Sequence, residues 1–182
     1  MAELGPVIWP PAPMRTERLV LRESEARDRA AFIELFASSE VRTYLGGPRP
    51  RDELENAVSK VPGRCPGVFV VDHDETMIGI VTLDRRDAER PGHVRLGAGE
   101  AELSYMFLPQ AWGYGYASEA CAAALDWFTG AFPGEPVVLC TQVANDRSVR
   151  VAVKLGFAEV ERFEEHCAEQ WFGVWSSVPP SG

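Results

Sequence analysis

The stretch from Ala101 to Ala131 constrains this chain most. Ala101 to Phe107 alternates, with Leu103, Tyr105 and Phe107 on one face and Glu102, Ser104 and Met106 on the other, the period of a β-strand. After the loop Gln110-Ala-Trp-Gly-Tyr-Gly-Tyr-Ala117, the residues Ala117, Ala120, Cys121, Ala124 and Phe128 recur at helical spacing. A strand thus feeds a helix through a turn with two glycines. The first N–H groups of that helix have no intrahelical acceptor, and together with the helix dipole they make an anion site. Glycine has no Cβ, so a ligand can approach its backbone closely.

The rest of the chain predicts one mixed α/β domain. Residues 1–14 hold five prolines and glycines without periodicity and read as an extended arm; 15–178 is the domain and 179–182 a tail. Arg18 to Glu23 alternates as a strand, and Glu25 to Ser38 carries an apolar helical stripe. After the Gly46-Gly47-Pro48 break, Arg51 to Val61 reads as a second helix. The apolar runs Gly67–Asp72 and Met77–Leu83 form a hairpin around His73-Asp74-Glu75. Residues 84–99 are charged and aperiodic and read as an exposed, mobile loop. Pro136 to Thr141 is a continuous apolar run, as in a strand covered on both faces. Asn145 caps a three-turn helix whose stripe is Val149, Ala152 and Val153, and Gly156 stops it. Ala158–Glu165 and Gln170–Trp175 form a closing hairpin. The order is strand, two helices, three strands, helix, strand, helix, two strands, around one central sheet.

Composition narrows the partners. The 182 residues carry a formal charge of −9, which argues against a nucleic-acid binder, because phosphate backbones demand surplus Lys and Arg. No apolar run approaches the roughly 20 residues of a membrane span, and the start has no basic region before an apolar one, so the expectation is a cytoplasmic protein with no membrane partner. Four widely spaced cysteines without a CxxC pair, and only three histidines, predict no metal site and reduced thiols. A homodimer stays open.

Two familiar phosphate patterns fail on the glycine loop. A P-loop needs Lys and Ser or Thr after its last glycine, and a dinucleotide fingerprint needs a third glycine where Ser118 stands. What remains is QxxGxGxA, and here the sequence resembles the GCN5-related N-acetyltransferases, the GNAT superfamily, whose loop reads [QR]xxGx[GA] between the fourth strand and the next helix. Thr16-Glu-Arg-Leu-Val-Leu-Arg22, Ile78-Gly-Ile-Val81, Ala101-Glu-Leu-Ser-Tyr-Met-Phe-Leu-Pro109 and Asn145-Asp-Arg-Ser-Val-Arg-Val-Ala-Val-Lys-Leu-Gly-Phe157 agree in order, so the resemblance spans about Arg18 to Trp175. Asn145 and Ser148 ahead of Lys154-Leu-Gly-Phe157 resemble the branch that acetylates ribosomal-protein N-termini.

The resemblance implies a GNAT fold: a mostly antiparallel twisted sheet of six to seven strands, splayed between the fourth and fifth, flanked by about four helices. It implies acetyl-CoA as co-substrate without a metal, and an amine acceptor, either a peptide N-terminus or a small amine. The diphosphate would lie on Gln110 and the main chain of Trp112, Gly113, Tyr114, Gly115, Tyr116 and Ala117, and the pantetheine arm beside Phe107 and Leu108, with Asn145 as a further partner. An N–H near Leu108 would hold the oxyanion. Glu102 is the candidate base. The tyrosine acid common in the superfamily falls at Ala152, which leaves Ser148 as the candidate acid, or as a cap only. Tyr44, Leu45, residues 84–99 and Trp171 or Trp175 are candidate acceptor walls. An acyl-CoA-binding module without turnover is the rival from another class.

Overall fold

The computed structural model describes residues 4–95 and 99–177; the tail at 179–182 and part of the 84–99 loop lie outside them. Eight strands form one sheet in the order β1-β2-β3-β4-β5-β6-β8-β7, namely β1 Met14–Arg15, β2 Val20–Arg22, β3 Val68–His73, β4 Thr76–Arg85, β5 Ala101–Phe107, β6 Val137–Gln142, β7 Ala158–Glu165 and β8 Ala168–Trp175. Every pairing is antiparallel except β5 with β6. Seven strands follow the expected order. The eighth, β1, is a two-residue pairing of Met14 with Leu21 and Arg15 with Val20.

Four helices cover the sheet: α1 Arg29–Ala37, α2 Arg51–Ala57, α3 Tyr116–Ala131 and α4 Asp146–Leu155. On one face, α3 and α4 enclose Leu21, Phe69, Val81, Leu103, Phe107, Leu139, Phe128 and Trp171. On the other, Phe32 and Leu35 of α1 meet Val70, Ile80 and Leu108. Burial of each such side chain contributes about 1.5–3 kcal/mol. The alternation in β5 is what divides its side chains between the two layers.

Near β2, the Arg22 guanidinium grips Asp28 and Asp72, each in bidentate geometry at 2.7–2.9 Å. All three side chains are at most 8 % exposed. Although burial works against the charge, hydrogen bonds from Arg22 and the Glu25 N–H hold Asp28 below the usual carboxylate range.

The arm packs on the domain, with Leu4 fully buried and Trp9 against Phe69 and Trp127. Three expectations need correction. Residues 86–95 fold back as a strap: Arg86 is buried, its N–H donates to Glu100 O, and the Glu100 carboxylate accepts from the N–H groups of Val94 and Arg95. Val153 is 60 % exposed, so Ala152 alone is fully buried in the α4 stripe. Trp171 is core, with its indole N–H on Glu159, and lines no acceptor wall.

Candidate active site

Strands β5 and β6 pair only at Ala101 with Val137 and Glu102 with Val138. Beyond that point β6 continues against β8 as far as Gln142 while β5 continues against β4 as far as Phe107, so a cleft opens between them. The ladder decides which amides face it. Leu108 N–H donates to Ile78 O at 2.9 Å, and bonded pairs alternate along an antiparallel ladder. Residues 106 and 108 therefore turn their amides to β4, whereas Tyr105 and Phe107 turn theirs to the cleft. The Leu108 N–H is occupied, so the donor near it that faces the cleft is that of Phe107. The Phe107 carbonyl accepts from the Trp112 indole at 2.8 Å.

At the cleft mouth stands the glycine loop. Gly113 and Gly115 sit at φ +86° and +81°, a region L-residues disfavour, and a Cβ on Gly113 would meet nothing within 4 Å. The N–H of Trp112 is bonded to Pro109 O. Those of Gly113 to Ser118 have no acceptor among the described residues, and Gly115 caps α3 without a side chain. Six amides of the loop and the helix N-terminus thus remain open, the arrangement that suits an anion. Gln110 is exposed beside this loop, and Ala117 lies in the first turn of α3.

Side chains brace the loop from outside. Arg18 donates to Tyr114 O at 2.9 Å, pairs with Glu119 at 2.6 Å and lies over the Tyr116 ring, which stacks on Tyr114. Thr16 and the Arg18 N–H also donate to Glu119; against the effect of burial these bonds keep Glu119 below the usual carboxylate range. Tyr116 O–H meets His73 Nε2 at 3.0 Å. Arg18 is a residue that reading the sequence missed; its only signal lay in the Thr16-Glu-Arg motif.

The candidate catalytic side chains flank the cleft. Asn145 Oδ1 accepts from the Ser148 N–H at 3.3 Å, which caps α4 and fixes Ser148 in its first turn. Ser148 Oγ accepts from the Tyr105 hydroxyl at 3.0 Å. Tyr105 was assigned only to the core face of its strand. Burial pushes its phenol well above the ordinary value.

Glu102 stands on the opposite face of β5 at the point where the strands part. Its oxygens accept from Arg86 at 2.8 Å and Arg90 at 3.4 Å, and Arg90 also grips Glu165 in bidentate fashion. Cys140 shares this face, and burial pushes its thiol up to about 11. Gln142 Nε2 donates to Tyr44 O at 3.3 Å, so the turn after α1 approaches the cleft from the same side. Among the described residues no group of acidic, thiol or imidazole side chains is arranged to hold a metal, and no helix is long and apolar enough to cross a membrane.

Residues 18–158 match the family model described as "Acetyltransferase (GNAT) domain". The chain belongs to the GNAT acetyltransferase family. Among this acetyltransferase's relatives is the "Uncharacterized N-acetyltransferase YoaA" of Bacillus subtilis, 26% identical over 150 residues covering 79% of this chain and 81% of the relative. A GNAT-family acetyltransferase from Bacillus anthracis superposes with a TM-score of 0.73 at 23% identity, covering 91% of this chain and 98% of the other. A spermidine N-acetyltransferase from Vibrio cholerae, solved in complex with CoA and spermine, superposes with a TM-score of 0.68 at 20% identity, covering 88% and 96%. These likenesses establish the fold; neither the ribosomal-protein branch nor the acceptor follows from them.

Proposed function

We propose that this GNAT acetyltransferase moves the acetyl group of acetyl-CoA onto a primary amine, a peptide N-terminus, by direct attack in a ternary complex. The observation that carries the proposal is the row of open amides from Gly113 to Ser118 continuing into a cleft faced by the main chain of Tyr105 and Phe107. The diphosphate lies on the loop and the pantetheine arm beside Phe107, which places the thioester deep in the cleft between Glu102 and Ser148.

The amine attacks the acetyl carbon and gives up one proton, to Glu102 or to water held by it. The Phe107 N–H is the donor for the oxyanion. The carbon–sulfur bond then breaks with its electron pair on sulfur, and Ser148 donates to that sulfur as the acid. The proton lost by the amine balances the one the thiolate finally gains. The acceptor must also lose its ammonium proton before it can attack. An α-amino group, with a pKa of about 8, does so far better than an alkylamine near 10.4. A small-molecule amine, such as a polyamine or an antibiotic, is the second reading; a spermidine enzyme and an aminoglycoside enzyme share the fold.

The test is CoA release with peptides bearing free or blocked N-termini and with polyamines. Free peptides turning over fastest, with Glu102→Gln lowering kcat by about 10²-fold as for a lost general base, is the expected result. Tight CoA binding without turnover on any amine would favour the non-catalytic module instead.

A further inference from the structure

The Tyr105 hydroxyl and the Ser148 hydroxyl are the pair that links β5 to α4 beside the cleft, and their hydrogen bond has a direction. Tyr105 is the donor and Ser148 Oγ the acceptor at 3.0 Å. Around the phenol stand Phe107, at a ring distance of 6.2 Å, and the fully buried Cys121 of α3. Burial opposes ionisation of Tyr105, so it keeps its proton and remains a donor. The Ser148 N–H is fixed on Asn145, and the Ser148 hydroxyl hydrogen has no acceptor among the described residues. With one lone pair of Oγ filled from Tyr105, that hydrogen is left to point elsewhere.

We infer that Tyr105 is a positioning residue for Ser148: by donating to Oγ it directs the serine hydrogen at the sulfur of the coenzyme. The inference rests on the acetyl-transfer reading and on Ser148 as donor to the leaving group. No proton leaves Tyr105. As the carbon–sulfur bond breaks, its electron pair settles on sulfur and the oriented Ser148 O–H stabilises it. Bonds in a chain polarise one another, so the phenol also strengthens the serine as a donor. The superfamily's tyrosine position is filled by the buried Ala152 one turn further along α4. Here a tyrosine reaches the same region from the strand and acts through the serine.

Three measurements on the full chain test this. Tyr105→Phe keeps the ring and removes the donor; with acetyl-CoA its kcat should fall about 3- to 10-fold, the worth of one hydrogen bond, with KM for acetyl-CoA within about two-fold. Ser148→Ala should fall at least as far, and the double variant should be no slower than Ser148→Ala alone, because the two side chains act as a unit. With an acetyl thioester whose leaving thiol is more acidic, the Tyr105→Phe deficit should shrink. A merely structural role would give equal deficits with both donors. The third measurement needs no turnover: the wild type should bind CoA more tightly than desulfo-CoA, and Tyr105→Phe should reduce that ratio. Additive losses in the double variant, or an unchanged ratio, would overturn the inference. Failure of the functional reading looks different, with no acetyl transfer by the wild type while the CoA to desulfo-CoA ratio still responds to Tyr105.

Discussion

The indole N–H of Trp112 donates to the carbonyl of Phe107 at 2.8 Å, closing the end of β5 onto the loop that leads into α3. Arg147, in the first turn of α4, lies over the same indole at 5.2 Å. One side chain thereby joins the strand, the loop and α4 around the cleft mouth. Trp112→Phe retains the aromatic surface and loses the donor. A hydrogen bond of this kind contributes about 1 kcal/mol, so affinity for CoA should weaken by about 5-fold in titration calorimetry. Unchanged affinity would mean that the indole N–H has no part in holding the loop in its binding shape.

Gly113 offers a cleaner separation of folding from binding. Its φ of +86° makes any L-residue strained, by about 1–2 kcal/mol. Because nothing of the protein lies within 4 Å of the added Cβ, the strain is the main cost to folding. That corresponds to a loss of roughly 2–8 °C in Tm for a domain of this size. The Cβ of Gly113→Val would project into the open space beside the loop, and CoA affinity should fall at least about 10-fold by loss of close approach. Native-like affinity in this variant would remove the loop from the cofactor site.

How far these features were legible in the sequence follows from how local their causes are. Helix α4 was readable at both ends, because Asn145 as cap and Gly156 in the left-handed region act within a turn of their own positions. The glycine loop was readable for the same reason. Strand β1 was not, since two residues carry no period and only the partnership with Val20 and Leu21 makes them a strand. The strap at 86–95 is not legible, because charge along a sequence looks the same whether it faces solvent or a partner carboxylate. Arg86 pairs with Glu102 and Arg90 with Glu165, carboxylates outside the strap, the latter pair 75 residues apart. Alternation placed Tyr105 on the correct face of β5, but no pattern along the strand tells a core tyrosine from one whose hydroxyl meets Ser148.

Asp84 tests the electrostatics beneath the cleft. It lies directly opposite Glu102 in the β4–β5 register, and like charges in that position repel. Arg86 and Arg90 are bonded to Glu102, and among the described residues no cation pairs with Asp84. Burial first, and the Glu102 charge second, push the Asp84 carboxyl above its ordinary value of 3.8. The folded state therefore binds this proton more tightly than the unfolded chain does, and stability falls as pH rises from about 3.8 through the raised folded value. At neutral pH the full cost is present. Asp84→Asn removes it, and should raise stability at pH 7 by on the order of 1 kcal/mol, or about 2–4 °C in Tm. The gain should fade as pH falls through 3.8 and vanish about one unit below it, where the wild-type carboxyl is mostly protonated in both states. Denaturant melts at pH 7 and at that lower pH measure the difference, and an Asp84→Asn protein less stable than wild type at pH 7 would show that the carboxylate is favourably paired.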